Sequence, residues 1–135
     1  MKNRPVLVIE RDAAEAEKIA AFLRRNGFRG KIDVVADKGE AMEYVFHIGR
    51  YASSPDHEAP GLVLLDLQTD RTPHVVLLKP LHFYLRTAEV PIVILTSTEA
   101  QEKEIAVHQL GKVEVVRKPL NGIAFGEAIQ RLGIR

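Results

Sequence analysis

Four residues stand where an apolar run stops, and their types belong together. Val6-Leu7-Val8-Ile9 gives way to Glu10-Arg11-Asp12, and Leu62-Val63-Leu64-Leu65 to Asp66. Pro91 to Leu95 ends at Thr96, and Val113 to Val116 leads to Lys118-Pro119. Carboxylates delivered by different strands suit a hard cation such as Mg²⁺, which takes oxygen ligands and keeps several waters. A carboxylate beside such a cation can attack a phosphoryl donor and hold the group as an acyl phosphate. A hydroxyl and an ammonium would then reach the phosphoryl oxygens through charge-assisted hydrogen bonds. Each residue alone has a plainer reading. Asp66 could be a turn or helix cap, Glu10 a surface acid after a strand, Thr96 a polar strand end and Lys118 an exposed lysine. Their value lies in whether the chain brings them together.

The elements that must do so are legible from periodicity. Each run is short and apolar, and Val6 to Ile9 is rich in β-branched residues, the pattern of a strand buried on both faces. Ile32 to Ala36 supplies one more. Between them, Ala13 to Asn26 carries Ala16, Ile19, Ala20 and Leu23 at helical spacing with Gly27 as its stop. Gly39 to Ile48 places Ala41, Tyr44, Val45 and Ile48 on one stripe closed by Gly49. A third helix is expected to start at Thr72-Pro73, proline being favoured at the first helical position. A fourth runs from Thr98, spaced from Gln101 as in a capping box, to Leu110. The last is capped by Asn121 or Gly122 and bears Phe125, Ile129 and Leu132. The longest clear loop is Gly49 to Pro60. Five strands alternating with five helices imply an α/β fold with a doubly wound parallel sheet. Function in such sheets collects outside the carboxyl ends of the strands, where all four residues stand.

Composition narrows the classes of function. The chain has 135 residues, 46% hydrophobic and 27% charged, which is globular rather than disordered and fits one domain over 1–135. Without cysteine there is no disulfide scaffold, Cys-ligated zinc or thiol catalysis. A net charge of +1 gives no reason to expect nucleic acid or an anionic membrane as partner. Only four apolar residues separate Pro5 from Glu10, and no apolar run nears the length of a membrane span. The expectation is a cytoplasmic domain. His57-Glu58 starts like a zinc-protease motif, but no second His follows and Pro60 forbids the helix. Gly27-Phe28-Arg29-Gly30-Lys31 lacks the spacing and the Ser/Thr of a phosphate loop.

In VLVIERD, LVLLDLQ, PIVILTS and VVRKPL, in that order and at these spacings, the chain resembles the CheY-like receiver domains of two-component response regulators. GEAMEYVFHIGRY, a long loop and LVLLDL together are similar to the stand-alone receivers of phytochrome-type kinases. The resemblance implies a flavodoxin-like sheet of order 2-1-3-4-5 and a phosphorelay signalling protein, a phosphoprotein rather than an enzyme. It implies Asp66 as phosphoacceptor, Thr96 as switch hydroxyl and Lys118 as the phosphate-contacting ammonium. Mg²⁺ would be held by Glu10, Asp66 and the backbone carbonyl of Gln68, and a cis bond would precede Pro119. A sensor histidine kinase would be the donor. With no output domain, a downstream protein partner, phosphate relay or a homodimer would carry the output.

Departures from the family pattern are specific. Arg11 stands where the second residue of the acidic pair belongs, and Asp12 can compensate as a metal ligand only if its loop turns inward. Asp70 and His74 replace a proline and a glycine, and Val115 replaces the aromatic that reports the switch. With Arg11 in the pocket, the charge of Glu10, Asp66, Lys118 and Arg11 sums to zero. Opposite charges at ~4 Å interact by about 4 kcal/mol at an effective dielectric of ~20, so Mg²⁺ affinity would suffer. The alternative is therefore a pseudo-receiver, a binding or scaffold domain that Arg11 has removed from phosphorylation. A hydrolase on the same fold would lack a general base beyond the acidic cluster. Val115 is too short to rotate between interior and surface, so movement of Thr96 would displace little.

Overall fold

The computed structural model describes residues 4–53, 59–66, 90–100, 102 and 113–133. In chain order they form β1 (Val6–Ile9), α1 (Ala13–Arg25), β2 (Ile32–Val35), α2 (Lys38–Phe46), a 3₁₀ turn (Gly49–Tyr51), β3 (Leu62–Asp66), β4 (Ile92–Thr96), β5 (Val113–Arg117) and α3 (Gly122–Arg131). Residues 99, 100 and 102 are also helical. The strands make one parallel sheet of order β2-β1-β3-β4-β5. That is the expected α/β architecture. The helix expected from Thr72-Pro73, together with Leu67, Gln68, Asp70, His74 and Gln101, lies outside the described residues.

Alternation along the strands assigns each side chain to a face. Leu7, Ile9, Val63, Leu65, Ile92 and Ile94 pack with Ala41 and Tyr44 of α2. Val6, Val8, Leu62, Leu64, Val93, Leu95 and Val116 pack on the other side against Ile19, Phe22 and Leu23 of α1 and Phe125 and Ala128 of α3. The rings of Phe22 and Phe125 meet edge to face with centroids 5.3 Å apart, joining the two helices. β1, β3 and β4 are buried along their whole length, as continuous apolar runs require.

Helix ends show where local reading succeeds. After α1, Gly27 takes φ +94, with Phe28 N–H donating to the Leu23 carbonyl and Gly27 N–H to that of Arg24. This paired closure needs a left-handed residue, and glycine is the natural one. α2 ends earlier than its stripe suggests. His47 adopts the left-handed conformation (φ 58), and Ile48 N–H and His47 N–H close onto Glu43 and Tyr44. The same closure thus forms two residues before Gly49, and Ile48 is 51% exposed rather than part of the core. Among the described residues no helix is long and apolar enough to cross a membrane.

Candidate functional site

The sheet register puts the two buried carboxylates side by side. Ile9 pairs with Leu65, so the next residues, Glu10 and Asp66, emerge next to each other at the carboxyl edge. By alternation from Val8 and Leu64 they face α1. Both are only 3% exposed. Lys118, just past β5, donates from Nζ to Asp66 Oδ2 at 2.8 Å, and the peptide bond before Pro119 is cis. Its ammonium also lies 3.5 Å from Glu15 Oε2 on α1. Burial pulls the Lys118 ammonium down, but Asp66 and then Glu15 outweigh it and hold it above its ordinary value.

Glu10 is anchored by its own loop, accepting from Asp12 N–H at 2.9 Å on Oε2. Its pKa is pushed up to about 8, chiefly by burial and then by the hydrogen bond with the Asp66 side chain. Lys118 opposes that rise through its charge. Two carboxylates this close in a buried edge favour one proton between them, so at neutral pH Glu10 holds it.

The two neighbours of Glu10 are placed otherwise than a full acidic cluster needs. Asp12 is exposed and is the N-cap of α1, Oδ1 accepting from Ala14 N–H at 2.8 Å and Glu15 N–H at 3.1 Å. Its loop spends that oxygen on the helix rather than turning it inward. Arg11 is exposed, and Asp66 and Lys118 are the charges that act most on Glu10. Water screens an exposed guanidinium, which weakens the effect on the pocket charge expected from Arg11.

Thr96 is fully buried, on the face opposite Asp66 by alternation from Ile92 and Ile94. Its hydroxyl donates to Glu102 Oε2 at 3.0 Å. The same oxygen accepts from Arg117 Nε, and the β4–β5 register sets Arg117 beside Thr96. Glu15, Glu102 and Arg117 were not among the residues singled out by sequence. Only the parallel register, placing Arg117 opposite Thr96, could have pointed to the last of them. A cleft lined by Glu15, Lys18, Ile19, Phe22, Ser97 and Lys118 opens beside α1.

Glu10 and Asp66 are hard oxygen donors of the kind a divalent cation takes, and a cation would displace the proton that Glu10 holds. Among the described residues no group of three or more His, Cys, Asp or Glu side chains is arranged to hold a metal, and Gln68 lies outside them. Glu10 and Asp66 are the two carboxylates that the described residues bury together at this edge.

No protein-family model matches the sequence, and no curated protein matches it. Solved structures do. The bacteriophytochrome response regulator AtBRR shares 29% identity at a TM-score of 0.84, covering 98% of this chain and 94% of that one. The bacteriophytochrome response regulator RtBRR shares 26% at 0.82, covering 98% and 80%. The Mn(2+)-bound form of response regulator Rcp1 shares 20% at 0.69, covering 98% and 95%. The structural neighbours of this chain are thus response-regulator receivers, bacteriophytochrome regulators among them, over nearly its whole length.

Proposed function

We propose that the chain is a single-domain response regulator that accepts a phosphoryl group on Asp66 from a sensor histidine kinase. One observation carries the reading above the others. Asp66 is a buried carboxylate at the end of a central strand, ion-paired at 2.8 Å to Lys118, a residue that lines an open cleft. A structural salt bridge gains little from such burial, since desolvation offsets attraction. A nucleophile gains position and a charge partner.

In the transfer, an Asp66 carboxylate oxygen attacks phosphorus on a phosphohistidine. The new O–P bond forms as the P–N bond breaks, and the imidazole keeps the electron pair and takes a proton from solvent. Lys118 holds the carboxylate for attack and follows the growing charge onto the phosphoryl oxygens. Glu10 sits beside the reacting carboxylate and gives up its proton when the site takes a cation. Glu10 and Asp66, with the Gln68 carbonyl, would hold Mg²⁺, whose charge would offset that of the phosphoryl oxygens. Output then passes by protein contact, to a downstream partner or within a homodimer, with no turnover of a substrate.

The pseudo-receiver reading is favoured by the position of Arg11 and by the use of Asp12 as a cap, which together leave two carboxylates at the site. Incubation with acetyl phosphate and Mg²⁺, followed by mass spectrometry, separates the two. An acid-stable, base-labile adduct on the Asp66 peptide, lost in Asp66→Asn, is expected. Label that persists in Asp66→Asn overturns the residue, and an unlabelled native chain turns the choice to the pseudo-receiver.

A further inference from the structure

Val115 leaves the site without an aromatic reporter, yet Thr96 is not isolated. Its hydroxyl carries one proton, and that proton is donated to Glu102 Oε2 at 3.0 Å. A carboxylate accepts and never donates, so the direction of this bond is set by chemistry. The Arg117 bond and then the Thr96 bond hold the Glu102 carboxyl below the usual carboxylate range, keeping it ionised. Phosphoryl oxygens are also acceptors only. Thr96 therefore cannot serve both at once: donating to a phosphoryl group on Asp66 means leaving Glu102.

The consequence reaches the surface. Thr96 and Arg117 share one oxygen, and they come from paired positions on β4 and β5 while Glu102 comes from the helical residues after β4. Thr96 is fully buried, whereas the side chains of Glu102 and Arg117 are 31% and 49% exposed. A buried hydroxyl is thus wired through one carboxylate to an exposed guanidinium.

Resting on the phosphoacceptor reading, we propose that Glu102 and Arg117 replace the aromatic as the switch reporter. Glu102 is a positioning residue that holds the Thr96 hydroxyl off in the resting state. Phosphorylation of Asp66 draws the hydroxyl away and resets the exposed Glu102–Arg117 pair for a partner to read.

The test uses the full chain with beryllofluoride as phosphoryl analogue in saturating Mg²⁺. Glu102→Ala should bind the analogue about five- to tenfold more tightly than the native chain, the worth of one released hydrogen bond. Arg117→Ala should shift affinity in the same direction and by less. In a Thr96→Val background the Glu102→Ala gain should vanish. No gain, or an equal gain without the hydroxyl, overturns the latch while leaving Asp66 as acceptor. A native chain that does not bind the analogue overturns both. A second arm needs no phosphate: unfolding of Thr96→Val, Glu102→Ala and the double variant should be non-additive, and additivity overturns the resting contact.

Discussion

At the scale of single residues, Glu10 sets the pH response. Its ordinary value of 4.5 is raised to about 8 in the fold, first by burial and then by Asp66. Below about pH 4.5 the carboxyl is protonated in both folded and unfolded chains, and its contribution to stability is fully present. Between about 4.5 and 8 the unfolded chain releases a proton that the folded chain keeps, so stability falls as pH rises. Above about 8 both states are ionised and the loss is complete. In metal-free protein, unfolding free energies from urea titrations at pH 5 to 9 should decline with a slope contributed by this group of up to about 1.4 kcal/mol per pH unit. Glu10→Gln should remove that part of the decline, and an unchanged slope would refute the assignment. Arg11 gives a companion expectation. Exposed as it is, its charge acts through water, where a unit pair at ~4 Å is worth about 1 kcal/mol and salt reduces it further. Arg11→Ala should therefore tighten Mg²⁺ by less than about fivefold, and Arg11→Asp somewhat more, both by calorimetric titration at low salt. A hundredfold gain would mean that the guanidinium reaches into the pocket.

Elements decide what Asp12 does, because the same residue that might have joined a cation site begins α1. With Oδ1 bound to two backbone N–H groups, Asp12→Ala should cost about 1 kcal/mol of stability, and Asp12→Asn, an equally good cap, much less. If Asp12 is a cap first, both variants keep most of the Mg²⁺ affinity, and a loss shared by both would show a metal role instead. The contrast explains what was legible in the sequence. β1, β3 and β4 could be read because full burial leaves a continuous apolar signature, and α1 because its stripe and Gly27 agree. α2 ends two residues short of its apolar stripe because His47 supplies the left-handed closure that glycine usually supplies. Asp66, Lys118, Glu10 and Thr96 were legible as strand ends. The Thr96–Glu102–Arg117 contact was not, since it depends on register and on a helix turn that no single-strand pattern contains.

The whole molecule separates the candidate site into two compartments. Glu10, Asp66 and Lys118 converge on the α1 and α3 side of the sheet, while Thr96 and Arg117 belong to the α2 side. On the proposed reading, a charge arriving on Asp66 is felt directly on one side and reaches the other through Thr96. A conformational effect extends only as far as two states differ in contacts. Comparing amide shifts of free and beryllofluoride-bound protein should then show two responses. Residues near Lys118, among them Glu15 and Leu120, should shift by charge alone and should do so equally in Thr96→Val. Glu102 and Arg117 should shift in the native chain and stay within about a quarter of that change in Thr96→Val, because the hydroxyl is the link. Val34 and the rest of β2, two strands away from β3 across β1, should stay still in both. If Glu102 and Arg117 respond fully without the hydroxyl, the signal crosses the sheet by backbone movement of β4. The division into a charge-sensing side and a reporting side would then be wrong.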